Sequence, residues 1–299
     1  MSLLLLMSAI PLSVGVSATP SATTGIIRLG GASRIQTAVT ICNAGWGNLV
    51  ETADDDDPGA PANPSPRIQY GADTVVLASG RIFADALAGG PLAAALNAPI
   101  LLTNNPVEDK LEDYVLTKIR GLGATNVVIL GGGSSVSDGV ANSIIDKGIA
   151  VERLAGANRY ETSIAVANRL QEIKGSPSIV FIANGADFPD ALSVESPAAI
   201  LNAPIVFQNG NAAAIHPATA AYLQDLASPA GGLPSTLSKI YLSGGSATLT
   251  DAFKANVQTA TNLLSANVKR LSGSNRYATS LAIWTEFWQD TANVFDDDL

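Results

Sequence analysis

The sequence predicts an α/β protein made of tandem repeats, each a mainly parallel sheet covered by helices, with the third repeat truncated. Three observations carry this. First, "RLAGANRYETS" at 153–163 has counterparts in "RLGGASRIQTA" at 28–38 and "RLSGSNRYATS" at 270–280. Second, two further segments pair off in the same order. "ASGRIFADALAGGPLAAALNAPILL" (78–102) matches "ANGADFPDALSVESPAAILNAPIVF" (183–207), and "VVILGGGSSVSD" (127–138) matches "IYLSGGSATLTD" (240–251). Third, short apolar runs such as "TVVLA", "PILLT" and "NVVIL" alternate with helical patterns. Near-continuous apolar strands suit a parallel sheet enclosed on both faces.

In chain order, "MSLLLLMSAIPLSVGVSATPSA" comes first and resembles a secretory signal with cleavage after Ala18, although no Lys or Arg precedes its apolar run. Pro11 and Gly15 interrupt it, and it is too short for a spanning helix. Repeat 1 occupies 25–151. Its opening motif stands 125 residues before the second copy (28 to 153), whereas the next landmark is separated by only 105 (78 to 183). The difference is an insertion over about 43–73, rich in acids and turn formers. Within it "ADDDDPG" (53–59) lacks the spaced pattern of a calcium loop and reads as a hydrated acidic loop, so 51–66 should lack fixed structure. Repeat 2 occupies 152–268, with a smaller insertion near "LASPAGGLPSTLS". Residues 269–299 begin a third copy that breaks off as its next strand is due, so the chain is expected to be a fragment, or the remnant to pack on its neighbour.

Asn158 and Ser137 stand where helix N-caps belong. The helix after Asn158 places Tyr160, Ile164, Ala167, Leu170 and Ile173 on one face. The matching positions are Ile35, Val39 and Cys42 in the first copy and Tyr277, Leu281 and Trp284 in the third. Cys42, the one cysteine, shares its position with alanine and tryptophan, which marks a packing site and not a nucleophile.

A formal net charge of −9 with 14% charged residues argues against general nucleic-acid binding and against an electrostatic membrane anchor, and no transmembrane segment is expected. His216, the sole histidine, reads as a solvated loop side chain. No hydrolase motif or Cys/His cluster appears, so no catalytic residue, cofactor or metal is expected and the chain reads as a non-enzyme. Gly131-Gly132 and Gly244-Gly245 each close a strand and open a helix. Such turns hold a phosphate on backbone amides, or simply need positive φ and close approach. Asp85 and Asp190 open the second helix of each copy, as caps or dipole partners or as buried partners of a motif arginine. Six of the ten arginines are the motif pairs Arg28 and Arg34, Arg153 and Arg159, Arg270 and Arg276. Two roles are open to them: pairing with an aspartate in each copy to fasten the first strand to a helix, or meeting an anionic ligand.

In series, "RLAGANRYETS", "ANGADFPDAL", "LNAPI" and "LSGGSATLTD" resemble the cell-wall-binding repeat type 2 family of Gram-positive surface proteins. The first copy departs at Ile35, in place of tyrosine, and at "ASGRIFADAL". The resemblance spans nearly all of 25–285. It implies Rossmann-like units, usually three in a pseudo-threefold triangle, that attach an exported protein non-covalently to the cell wall. The implied partner is an anionic polymer, teichoic-acid-like or a secondary wall polysaccharide. The six motif arginines are then candidate polymer contacts, and the family's anchoring strand maps onto Ile100, Leu101 and Leu102 and onto Ile205, Val206 and Phe207. Two rival readings are the anchor of a wall hydrolase whose catalytic domain lies outside this chain, and a small-ligand binder at the glycine turns.

Overall fold

The computed structural model describes residues 28–47, 71–104 and 109–288. The signal-like segment 1–18, most of the 43–73 insertion with its acidic stretch, and 289–299 lie outside the described residues. The first half runs α1 (Arg34–Trp46), β1 (Thr74–Ser79), α2 (Phe83–Ala95), β2 (Ile100–Thr103), α3 (Asp113–Gly121), β3 (Asn126–Leu130), α4 (Asp138–Ile145) and β4 (Ala150–Leu154). The second runs α5 (Arg159–Lys174), β5 (Ile179–Asn184), α6 (Pro189–Ile200), β6 (Ile205–Gln208), α7 (Pro217–Ala227), β7 (Lys239–Ser243), α8 (Asp251–Thr261) and β8 (Val268–Leu271). A last helix, α9 (Arg276–Trp288), follows.

All strands pair in parallel, in the orders β2-β1-β3-β4 and β6-β5-β7-β8. The central strands are buried almost throughout, which is why they read as unbroken apolar runs and not as alternating ones. Helix starts follow their caps: Ser137 Oγ accepts from the Val140 amide, and Asn158 Oδ1 accepts from Tyr160 and Glu161.

The motif strand does not open its own repeat. β4, carrying Arg153 and Leu154, pairs with β3 and completes the first sheet, and β8 completes the second in the same way. The boundary drawn at 151/152 therefore falls inside β4, and of the segment from 269 only α9 stands beyond the second sheet among the described residues. The reason lies in the motif itself. Between β4 and α5 run only four residues, and Gly156 donates its amide to Thr162 Oγ1 (3.1 Å). A Cβ at Gly156 would lie 2.2 Å from Glu161 Cβ, so only glycine folds so closely over the first turn of the helix. Equivalent bonds join Gly31 to Thr37 and Gly273 to Thr279. The motif thus spells the end of one sheet and the start of the next repeat.

Its helix is shared accordingly. Val166 and Leu170 of α5 pack into the first repeat, against Val76, Leu92 and Leu130, while Ala167 packs into the second. Ala84, Leu87 and Ala88 of α2 join the core around Phe181 and Phe207. Cys42 is buried in the first core, and desolvation pushes its thiol up to about 11 although Lys118 acts in the opposite direction. It is an inert packing group. The expected buried face fails in the third copy: Tyr277, Leu281 and Trp284 are 81%, 62% and 52% exposed. In α5 that face is covered by β6 and α7 of its own repeat, and α9 has no such elements over it among the described residues.

Candidate functional site

The two arginines of each motif do different work. The first fastens the sheet that its strand completes. Arg153 Nη1 donates to the carbonyls of Gly131 (2.9 Å) and Val136 (2.8 Å), and Nη2 reaches Ser137 O and Asp138 Oδ1 (3.1 Å). Arg270 repeats this with Gly244 O (3.0 Å) and Asp251 (3.1 Å). The aspartate paired with the first arginine is therefore one that opens the last helix of the preceding unit, not Asp85 or Asp190. Arg28 precedes α1 and is exposed.

Because Asp138 is 86% exposed, the carbonyl bonds should outweigh the ion pair. Arg153→Ala is expected to cost roughly 2–3 kcal/mol, since it strands partly buried carbonyls, while Asp138→Ala should cost less than about 0.5 kcal/mol. Urea denaturation of the two variants checks this, and equal losses would contradict it. A variant of Arg153 that melts like wild type yet no longer binds walls would move this side chain to the ligand.

The second arginine works at the next junction. Arg34 and Arg159 each donate Nη1 to a glycine carbonyl at the end of their own first central strand, Gly80 and Gly185 (both 2.5 Å). Arg159 also lies 5.9 Å above the ring of Phe83 in the preceding repeat, and Arg276 lies 5.9 Å above Phe188. Phe83 and Phe188 meet edge to face at 5.7 Å.

Behind these rings stand Asp85 and Asp190. Asp85 is 4% exposed, bonded to Ser135, and lies against Gly131, whose φ is +99°. Burial raises its carboxyl above the usual range, and Ser135 and Arg159 draw it back down. Asp190 lies likewise against Gly244; burial and Asp187 raise it, and Arg276 opposes them. Both acids do face a motif arginine, namely the second arginine of the following repeat. They also fill the hollow of each glycine turn with the chain's own carboxylate, which leaves no cradle there for a phosphate.

The strand after Asn-Ala-Pro is core. Leu101, Ile205, Val206 and Phe207 are at most 1% exposed, and Ile100 and Leu102 pack part-buried against the first core's second face. The Phe207 amide donates to Ser163 Oγ of α5, so this sheet edge is covered. His216 is half-buried and not freely solvated: it stands at the N-cap position of α7 without a side-chain cap bond, and its ring lies 4.6 Å from that of Tyr160. Its place in the first repeat is taken by Glu112, the cap of α3, which accepts from Thr103 Oγ1 (2.8 Å) and the Asn104 amide (2.6 Å).

Two features of the junctions are not legible in the sequence alone. The Phe83–Phe188 contact was visible only as the aromatic of "IFADAL" and "DFPDAL". The other is an ion pair between the motif strand and motif helix, Glu152–Arg169 (2.9 Å) in one copy and Lys269–Glu286 in the other. Equivalent positions carry opposite charges, so the pair is kept while each residue changes sign. Among the described residues no cluster of His, Cys, Asp or Glu could hold a metal, and no helix is long and apolar enough to cross a membrane.

Fold and site together define a tandem-repeat α/β protein whose distinctive polar and aromatic residues gather at the junctions between units. The family follows from comparison: the chain belongs to the cell wall binding domain 2 (CWB2) family, whose profile matches residues 28–141 and 153–254. The chain is 31% identical over 277 residues to N-acetylmuramoyl-L-alanine amidase LytC of Bacillus subtilis (strain 168), covering 93% of this chain and 46% of that protein. It is 40% identical over 135 residues to the Amidase enhancer of the same organism, covering 45% of this chain and 17% of that one. The chain thus spans less than half of either relative. Cwp6 from Clostridium difficile shares the fold, with a TM-score of 0.70 at 24% identity over 96% of this chain and 42% of that one. Cwp8 from the same organism gives 0.67 at 24% identity, over 87% and 37%. The chain carries a cell-wall-binding domain and is associated with the cell wall or surface.

Proposed function

We propose that this chain anchors an exported protein non-covalently to the cell wall, its repeats holding an anionic wall polymer without catalysing a reaction. The observation that carries this reading is the recurrence of one constellation at successive junctions: an arginine over a phenylalanine, backed by an aspartate that is buried in the first copy and half-buried in the second. A repeating polymer is best met by equivalent groups in each copy, each weak contact raising the local concentration at the next. A small-ligand binder would need one cleft of unrelated residues, and the glycine turns are already filled. The signal-like segment supports export, and the two amidase-related proteins support a wall-hydrolase setting for a longer protein.

The test is sedimentation of the chain with purified Gram-positive walls, before and after removal of anionic polymers. Binding should be lost on stripped walls. It should also weaken between roughly 0.1 M and 1 M salt, where the screening length falls from about 10 Å to about 3 Å. Equal, salt-insensitive binding to both preparations would refute the anionic polymer.

A further inference from the structure

The junction holds two aromatic rings that no core uses. Phe83 and Phe188 occupy equivalent positions at the starts of α2 and α6, remain 36% and 42% exposed, and belong to none of the apolar clusters. Their neighbours are only partly committed to the fold. Arg159 uses Nη1 on Gly185, and Arg276 makes no hydrogen bond or ion pair among the described residues.

We infer that the line Arg159–Phe83–Phe188–Arg276 is a saccharide-binding seam, taking the apolar face of a sugar ring from a wall glycopolymer on Phe188 and Phe83. The arginine forks take the ring's oxygens or its acidic substituent. This rests on the wall-binding reading above and names where, and by what chemistry, the polymer is held.

Three arguments support it. A partly open ring pair gives the C–H face of a sugar an apolar platform that costs little ordering entropy, because the rings already brace each other. A guanidinium beside a ring presents planar paired donors in the plane where the substituents of a stacked sugar project. The charge balance, finally, favours a sugar over a bare polyanion. Asp85, Asp187 and Asp190 stand at the same junctions as the two arginines, so the seam carries no net positive field to attract charge from a distance. Recognition must come from contact.

The experiment compares wall sedimentation and thermal melting of the full chain with those of Phe188→Leu and Arg276→Gln. The probes are purified Gram-positive walls and the same walls stripped of glycopolymer with hydrofluoric acid. Each variant should bind unstripped walls roughly tenfold more weakly, with its melting temperature within about 2 °C of wild type. Should Phe188→Leu melt early, Arg276→Gln decides, because that side chain makes no hydrogen bond or ion pair among the described residues. Wild-type affinity in Arg276→Gln would overturn the seam while leaving wall binding intact. Failure of the wild-type chain itself to bind any wall would overturn the wall-binding reading and the seam with it.

Discussion

Gly131→Ala is expected to destabilise the protein by roughly 3–5 kcal/mol, while Gly132→Ala, one residue on, should change stability by less than about 1 kcal/mol. The two glycines look alike in sequence and differ in surroundings. Gly131 has φ +99°, where an L side chain is strained, and an added Cβ would sit 2.4 Å from Asp85 Oδ2 and 2.8 Å from Ser135 Cβ. Neither neighbour can swing away, because Asp85 is buried and is held by Ser135. Gly132 has open space where its Cβ would go. Urea denaturation of both variants checks the contrast. A double-mutant cycle with Asp85→Ala isolates the carboxylate clash, since it removes that contact but leaves the φ strain and the 2.8 Å approach to Ser135 Cβ. Full rescue by Asp85→Ala would show the backbone strain and the Ser135 contact to be negligible. A loss below about 1 kcal/mol in Gly131→Ala alone would show that the turn relaxes and that the close packing of Asp85 is not structural.

The repeats, the parallel sheets and the helix starts were legible because each is written locally. Apolar runs such as 127–130 and cap residues such as Asn158 carry their meaning within a few positions. Which sheet a motif strand joins was not legible. Arg153 and Arg159 are six residues apart, yet one serves the sheet behind it and the other the junction ahead, and nothing local distinguishes a strand that ends a unit from one that begins it. The same cause hid the partners of Asp85 and Asp190. Each acid finds its arginine across a junction, at a distance set by how α2 and α6 pack. The apolar strand 100–102 was misleading in another way. Its composition fits an anchoring surface and a buried edge strand equally well, and only the helix that covers it decides, α1 here and α5 over the equivalent strand β6.

The packing of α2 on α6 also creates a group with a large pH effect. Glu195 of α6 lies along Gly90 of α2, at the position equivalent to Gly90 in the other repeat; a Cβ at Gly90 would be 3.3 Å from Glu195 Oε1. Its side chain is part-buried at the surface end, but the carboxyl sits between the helices, and desolvation pushes it up to about 8 from 4.5. The unfolded chain releases this proton near pH 4.5, whereas the folded chain keeps it until about pH 8, so folding takes up a proton across that window. Stability from this group is therefore complete below the unfolded value and is lost as pH rises toward 8. A tenfold difference in proton affinity between folded and unfolded chains corresponds to about 1.4 kcal/mol, so the loss amounts to roughly 2–4 kcal/mol once partial solvent access is allowed for. Glu195→Gln keeps the shape and stays neutral. It should match wild type at pH 4.5 and exceed it by roughly 2–4 kcal/mol at pH 8 in chemical denaturation. Asp85 and Asp190 are also raised by burial and add slope of the same sign, but they are common to both proteins and cancel in the difference. A variant whose advantage is the same at both pH values would mean that Glu195 is ionised in the fold and that the α2–α6 seam admits water.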